Sequence, residues 1–307
     1  MTAAICSFKH LVTYRKMRFI KFHGFGNDYI VFEAEQLTDV TSLGELALRV
    51  CNRHYGAGAD GIAIISQTEN ERADFTVRIF NPDGTEARLS GNGTRSAAAY
   101  LYYSKLWERD ELRLATLSGV KLYRLHKRIG EGHYWFKAEL GEPRFDSASI
   151  PMLTTEPLER VVGYPLEING STLHVTALQM GNPHCCIFVR HFHDLDWRSI
   201  GRALQSHAQF PEKTNVVFVR VVDRKNIELR VWERGVGETL SSGTGACAAT
   251  VAAIVNGKTE RHIKVEMPGG CIEVEWRDAC EVVMTGRADI VYSGDWIADV
   301  VRDTGSI

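Results

Sequence analysis

Two segments about half the chain apart follow one pattern. Each begins with a glutamate, Glu86 or Glu238, and continues after three residues with Ser-Gly, then Asn or Thr, then Gly. An alanine follows four positions later in both segments, and the serines of the pattern are Ser90 and Ser242. A repeat with this spacing in 307 residues predicts a duplicated domain, with the same loop leading into a helix in each half. Two such loops facing each other would hold one small ligand between them.

The residues after each serine predict an anion-binding loop. Gly91 and Gly243 allow a tight turn that exposes backbone N–H groups. A helix that starts there has unpaired N–H donors and a positive end, which together bind a carboxylate or a phosphate. The alternative interpretation is that Asn92 and Thr244 are N-caps beside turn glycines. The duplication favours the anion site over this alternative.

The segments that follow the two loops predict buried helices. Residues 243–257 contain no charged residue and many alanines, and residues 93–105 are similar near their start. A helix that is apolar on every side must be buried on every side. We therefore expect one central helix wrapped by strands in each half.

The remaining pattern predicts an α+β fold with mostly antiparallel pairing. Strand-like segments outnumber helical ones, and tight turns often join them, as at Asn169-Gly170. We expect two pseudo-symmetric domains after an N-terminal extension. Their predicted bounds are 1–16 for the extension, 17–134 for the first domain, to which 289–307 returns, and 135–288 for the second. Further predicted elements are helices over 42–53 and 194–206, and strands over 62–66, 75–80, 112–125, 133–140, 216–222, 227–232, 263–267 and 272–276.

Composition excludes several classes of partner. The chain is 44% hydrophobic and 24% charged with a net charge of −2, so it has no basic excess for nucleic acid and no charge block for a membrane surface. Its 7 cysteines form no Cys-x-x-Cys pair. This favours a reduced cytoplasmic protein with buried thiols over a disulfide framework or a metal site.

The two repeated motifs, residues 81–95 and 233–248, resemble the two signature motifs of the diaminopimelate epimerase family. Four further segments match that family in the same order, and together they cover nearly the whole chain from Met17. They are residues 23–29, residues 53–61, residues 180–184 and Asn215.

The resemblance implies a cofactor-free homodimeric enzyme with its active site between two similar domains. In this family one cysteine removes the α-proton of diaminopimelate and a second cysteine reprotonates the opposite face. The substrate's α-carboxylate would lie on the two helix N-termini, at Gly91, Asn92, Gly243 and Thr244. The resemblance further implies substrate contacts from Asn27, Asn81, Asn182, Asn215, Glu233 and Arg234. Arg234 and the asparagines would bind the distal carboxylate, and Glu233 the distal ammonium.

This chain departs from the family at both catalytic positions, where Ser90 and Ser242 replace the cysteines. A thiol has a reference pKa of about 8.5, whereas a serine hydroxyl is a much weaker acid and needs an adjacent base. The serines can donate hydrogen bonds, but either would be a poor base for a carbon acid. The serines are either natural or introduced by substitution. Natural divergence is favoured because Ser96 also replaces a cysteine that many relatives have, while Cys247 is kept.

Three functional hypotheses follow. The first is an epimerase acting on diaminopimelate with impaired or altered proton transfer, and the second is a catalytically silent amino-acid-binding homologue. The third is a different isomerase or lyase that uses another base, for which Glu86, Glu238 and His184 are candidates. For the two glutamates we favour a structural contact, whereas for His184 an orienting or packing role beside Asn182 is as well supported as a catalytic one.

Overall fold

The computed structural model describes residues 12–278 and 281–301. Cys6, Cys280 and most of the expected N-terminal extension lie outside these residues, although residues 12–16 of that extension form the start of the first strand. The helices are α1 (Leu43–Cys51), α2 (Gly91–Tyr103), α3 (Trp197–Gln205) and α4 (Gly243–Val255), with short 3-10 turns at Ala34–Leu37 and Phe192–Asp194. The strands are β1 (Val12–Gly24), β2 (Asn27–Glu33), β3 (Ile62–Ser66), β4 (Phe75–Phe80), β5 (Glu86–Ala87), β6 (Glu111–Thr116), β7 (Gly119–Gly130), β8 (His133–Glu139), β9 (Val161–Ile168), β10 (Ser171–Gln179), β11 (Pro183–Val189), β12 (Asn215–Asp223), β13 (Asn226–Glu233), β14 (Gly237–Thr239), β15 (His262–Met267), β16 (Gly270–Trp276) and β17 (Val282–Val301).

The two halves have the same order of strand pairing. In the first half β1 pairs with β2, β2 runs parallel to β3, β3 pairs with β4, and β4 runs parallel to β6. In the second half β10, β11, β12, β13 and β15 repeat this order, including both parallel steps. The short strands β5 and β14 occupy matching places immediately before α2 and α4. The fold is therefore α+β, mostly antiparallel and duplicated.

The last strand, β17, belongs to the sheets of both halves. Its first residues pair with β16 and with β8, and its residues 289–301 pair with β1. Because β8 and β1 are joined through β17, the strands of the first half form a closed ring around α2.

The central helices are buried as the sequence predicts. Every residue of α2 from Asn92 to Tyr102 and of α4 from Gly245 to Ala253 is buried. Both helices contribute to one hydrophobic core cluster, in which the alanines let strands approach closely. Because this core is close-packed, replacing such an alanine with a larger residue costs roughly 1–3 kcal/mol.

The other two helices cover the outer face of the strands. Leu46 and Val50 of α1 pack in a cluster with residues of β1, β2 and β3. Trp197 and Leu204 of α3 occupy the matching cluster of the second half. The apolar side of each of these helices is therefore buried and the polar side faces solvent, as their amphipathic spacing predicts.

The predicted turn at Asn169-Gly170 is confirmed, and one predicted strand is wrong. Asn169 and Gly170 both have positive φ, at 50° and 78°, and join β9 to β10 in a tight hairpin. The strand predicted over 112–125 is instead two antiparallel strands, β6 and β7. The turn at Leu117-Ser118 divides them, and Gly119, the first residue of β7, adopts the positive φ of 91° that lets the chain reverse there.

Candidate active site

Ser90 and Ser242 are the N-caps of the two central helices. Ser90 Oγ accepts the Gly93 N–H at 3.1 Å, and Ser242 Oγ accepts the Gly245 N–H at 3.2 Å. Both serines have extended backbone angles, as N-cap residues do. The alternative that Asn92 and Thr244 are the caps is wrong, because both lie inside the first helical turn.

Each cap leaves the amides of the first two helical residues available. In the described residues, we find no protein acceptor for the N–H groups of Gly91, Asn92, Gly243 and Thr244. A Cβ added to Gly91 would meet no atom within 4 Å, so the backbone there is open. These four donors and two positive helix ends suit a carboxylate.

The N-terminal ends of the two helices meet near Gly24. Ser241, immediately before the second cap, donates a hydrogen bond to the Gly24 carbonyl at 3.5 Å. A Cβ at Gly24 would lie only 3.2 Å from Asn92 Oδ1, in the first turn of α2. The two repeated loops thus face a common region, as the sequence predicts.

Each serine also lies near one titratable side chain. The Tyr29 hydroxyl is near Ser90, and the Tyr29 ring packs against Gly93, where an added Cβ would be 2.9 Å from the ring. Ser242, which is 3% exposed, is near the Glu233 carboxylate. Burial raises the pKa of Tyr29 and also that of Glu233, although the nearby serine hydroxyls oppose both shifts. The two acids are close enough for Glu233 to raise the Tyr29 pKa as well.

Asn27 and Asn92 are hydrogen-bonded to each other at the α2 end. Asn92 Nδ2 donates to Asn27 Oδ1 at 2.8 Å, and Asn27 Nδ2 donates to Asp60 Oδ2 at 3.0 Å. Arg95, fully buried in α2, donates to Asn92 Oδ1. Asp60 therefore joins Asn27 and Asn92 in one hydrogen-bonded network.

The predicted residues of the second half lie where β11, β12 and β13 begin or end. His184 Nε2 is 2.7 Å from Asn182 Oδ1, which is the contact required for an orienting role. Burial, and secondarily the Arg234 cation, lowers the His184 pKa to about 3, so the ring is neutral and its Nε2–H donates. Asn215 Nδ2 donates to the Pro183 carbonyl at 3.0 Å, and its Oδ1 accepts the Arg234 N–H at 2.9 Å.

Asn81 and Arg234 are bonded within loops of the described chain. Asn81 Nδ2 donates to Thr85 Oγ1 at 2.9 Å, inside the turn that follows β4. The Arg234 guanidinium is exposed and donates to the Glu212 carbonyl at 2.8 Å. Neither side chain contacts another residue of the predicted set, apart from the Arg234 backbone N–H described above.

The glutamates of the repeat make matching ion pairs. Glu86 binds the Arg78 guanidinium through two hydrogen bonds of 2.7 and 2.9 Å. Glu238 binds Arg198 in the same way, at 2.6 and 2.8 Å. The Arg78 hydrogen bonds lower the Glu86 pKa, which makes that carboxylate a weaker base. The structural contact favoured for these residues is present in both halves.

Among the described cysteines we find no replacement for the missing thiols. Cys51, Cys185, Cys186 and Cys247 are buried, whereas Cys271 is exposed. Desolvation raises the pKa of all five, so these thiols stay neutral. Within the described ranges, we find no group of three or more His, Cys, Asp or Glu side chains arranged to hold a metal ion. No helix of those ranges has the length and hydropathy needed to cross a bilayer.

Three residues of the site were missed in the sequence. Tyr29, Asp60 and Arg95 all lie in the matched segments, but their partners are distant in the chain and only the fold brings them together. The one available signal was the contrast within the repeat, where charged Arg95 occupies the position that Cys247 occupies in the second copy.

Comparison with known proteins gives a consistent result. The family model described as diaminopimelate epimerase matches residues 19–145 and 176–291. The diaminopimelate epimerase of Pelotomaculum thermopropionicum is 41% identical over 282 residues, which cover 91% of this chain and 99% of that protein. The enzyme of the same name from Desulfitobacterium hafniense is 38% identical over 287 residues, covering 93% and 100%. Among solved structures, a hydroxyproline epimerase from Agrobacterium vitis shares the fold with a TM-score of 0.68 at 15% identity, covering 93% of this chain and 94% of that one.

Proposed function

The chain belongs to the diaminopimelate epimerase family, and on that premise we propose that it interconverts LL- and meso-diaminopimelate. The reaction moves the proton on the α-carbon and is a step toward lysine and peptidoglycan precursors. The observation that carries the proposal is the meeting of two serine-capped helix N-termini with four available N–H donors. Such a site fits the α-carboxylate of an amino acid and needs no cofactor.

We assign the substrate contacts by family position together with local geometry. The α-carboxylate binds the amides of Gly91, Asn92, Gly243 and Thr244. Glu233 binds the distal ammonium, because its carboxylate is half-buried and opposite in charge. The remaining contacts, including those to the distal carboxylate, come from Asn27, Asn81, Asn182, Asn215 and Arg234.

We assign the proton-transfer positions to Ser90 and Ser242, one on each face of the α-carbon. Each hydroxyl has a titratable neighbour, Tyr29 or Glu233, and burial raises the pKa of both neighbours. Loss of one efficient acid–base group typically costs about 10²–10⁴-fold in rate. We therefore expect slow epimerisation compared with a two-thiol enzyme.

The test is exchange of the α-hydrogen of diaminopimelate with deuterated water, followed by NMR. We expect slow exchange above the solvent rate in this chain and a rise of about 10²–10⁴-fold in the Ser90→Cys, Ser242→Cys double variant. Ser96→Cys is the matched control, because Ser96 is a buried serine of α2 whose new thiol would lie away from the cap. Silence in both the parent chain and the double variant would refute the diaminopimelate assignment.

A second candidate, a silent amino-acid-binding homologue, is favoured by the same two serines. It predicts that diaminopimelate raises the unfolding temperature while no exchange occurs above the solvent rate. Exchange in the parent chain would reject it. We further propose that the protein works in the cytoplasm as a homodimer, in line with the family resemblance. Sedimentation equilibrium of the purified chain tests the dimer.

A further inference from the structure

Hydrogen bonds link four side chains at the N-terminal end of α2, in the order Arg95, Asn92, Asn27 and Asp60. One end of this hydrogen-bonded chain can only donate, and the other can only accept. Arg95 can only donate, because a guanidinium has no acceptor. Its Nη2 donates to Asn92 Oδ1 and its Nε donates to the Arg287 carbonyl at 2.8 Å. At the other end, the ionised Asp60 carboxylate can only accept. The two amides between these ends therefore have one consistent orientation.

That orientation follows link by link. Since Asn92 Oδ1 accepts from Arg95, its Nδ2 faces Asn27 and donates to Oδ1 at 2.8 Å. Asn27 Nδ2 then donates to Asp60 Oδ2 at 3.0 Å. Rotating either amide by half a turn would place two donors or two acceptors against each other.

Both ends of this hydrogen-bonded chain, Asp60 and Arg95, are held in place. Asp60 Oδ1 accepts from Arg53 at 2.7 Å, and Oδ2 also accepts the Asp28 N–H at 3.0 Å. Burial raises the pKa of Asp60, and the ion pair with Arg53 opposes that shift. Arg95 is 1% exposed, and a Cβ at Gly24 would lie 2.6 Å from its Nη2, so only glycine leaves room for the guanidinium there.

Arg95 also places a buried positive charge inside α2, the helix that begins at the proposed anion site. Its Nη1 is buried and has no hydrogen-bond partner in the described residues. The position that corresponds to Arg95 in α4 is Cys247, and Thr244 corresponds to Asn92. The second helix therefore has neither the cation nor the amide, and this arrangement is specific to α2.

We propose that Arg95, which acts through Asn92, and Asp60, which is bonded directly to Asn27, are positioning residues that fix the direction in which Asn27 presents its free N–H and lone pair to the ligand. The identity of that ligand, a diaminopimelate-like amino acid, rests on the proposed function. The orientation of the amides in the ligand-free protein does not.

The first measurement needs no ligand. Side-chain amide exchange of Asn27 and Asn92 with water is followed by NMR in the parent chain and in Asp60→Asn, Arg95→Met and Arg95→Lys. We expect about tenfold faster exchange in Asp60→Asn and Arg95→Met, because a fixed end is lost. Arg95→Lys keeps a donor-only end and should largely restore slow exchange. Asp74→Asn is the matched control, since Asp74 likewise accepts a backbone N–H, at 2.7 Å from Arg113 N.

The second measurement is the dissociation constant for meso-diaminopimelate by calorimetry. We expect binding about ten- to a hundredfold weaker in Asp60→Asn and Arg95→Met, with Asp74→Asn unchanged. The proposal is overturned if amide exchange is the same in all variants, if Arg95→Lys behaves as Arg95→Met, or if the amides respond while affinity does not. If the parent binds no diaminopimelate but the amides respond as expected, the orientation by Arg95 and Asp60 stands and the proposed function fails.

Discussion

The N-terminal ends of α2 and α4 have the same backbone arrangement but different side chains around it. Both are capped by a serine that accepts the N–H three residues later. Around α2, the polar side chains are held by two charged side chains, Arg95 and Asp60. Around α4, Asn182 and Asn215 are held by a neutral histidine and by backbone groups. The duplication has thus kept the serine-capped start of the helix and changed the side chains around it.

This difference shows which half should respond to pH. An arginine keeps its charge at all ordinary pH values, whereas His184 must remain neutral and buried for its contact with Asn182. Lowering the pH should therefore reduce the free energy of unfolding through His184 in the second half. The Arg95 end of the first half should have no such effect.

The largest expected effect is the pH dependence of stability that His184 causes. Its folded pKa is lowered to about 3, while an unfolded histidine titrates near 6.5, so the unfolded state binds more protons between these values. The free energy of unfolding should fall by about 1.4 kcal/mol for each pH unit as the pH decreases through this window. His184→Gln, which keeps a donor for Asn182 without titrating, should remove this slope in denaturant titrations at several pH values. His174→Gln, at an exposed histidine, is the control and should leave the slope intact.

The next largest effect is the loss of stability when either N-cap serine is removed. Ser90→Ala should lower the free energy of unfolding by about 1 kcal/mol, and Ser242→Ala by about 2 kcal/mol. The second is larger because Ser242 is buried, so that the unpaired Gly245 N–H would be shielded from water, whereas Ser90 is only half-buried. Ser96→Ala in α2 is the control, and it should be neutral or stabilising because Ser96 Oγ is buried and has no hydrogen-bond partner among the described residues. Equal losses at the two caps would contradict this asymmetry.

The smallest effect concerns the matched glutamates. Glu86→Gln and Glu238→Gln should each change the free energy of unfolding by at most about 1 kcal/mol, because both ion pairs are substantially exposed. Neither change should alter α-hydrogen exchange, since each carboxylate is bound to an arginine. A fall of about 10²-fold in exchange for either variant would instead identify a carboxylate base and support a different isomerase on this fold.

Much of the fold could be predicted because its signals are local. The Asn169-Gly170 pair specifies a hairpin, and the uncharged segment after Ser242 specifies a buried helix. The strand predicted over 112–125 failed because its alternation continues across Ser118-Gly119, where the turn signal should have been given more weight.

The candidate site was predictable only in part. The repeat located both helix ends, but it did not show that Ser90 and Ser242 are the caps, because Asn92 and Thr244 are equally good capping residues. Tyr29, Asp60 and Arg95 were missed for a different reason. Their roles depend on partners such as Ser90, Asn27 and Arg287, which the chain brings together only by folding.

The sharing of β17 between the two sheets has a consequence for how the chain folds. β1 lies at the start of the described chain and its partner β17 at the end, with Val12 opposite Val301. The ring around α2 therefore cannot close until the last strand has left the ribosome. Contacts between distant parts of a chain form slowly. We therefore expect part of the alanine-rich surface of α2 to stay exposed to solvent during synthesis. Shortening the chain by its last strand should then produce a protein that aggregates, rather than one half that folds alone.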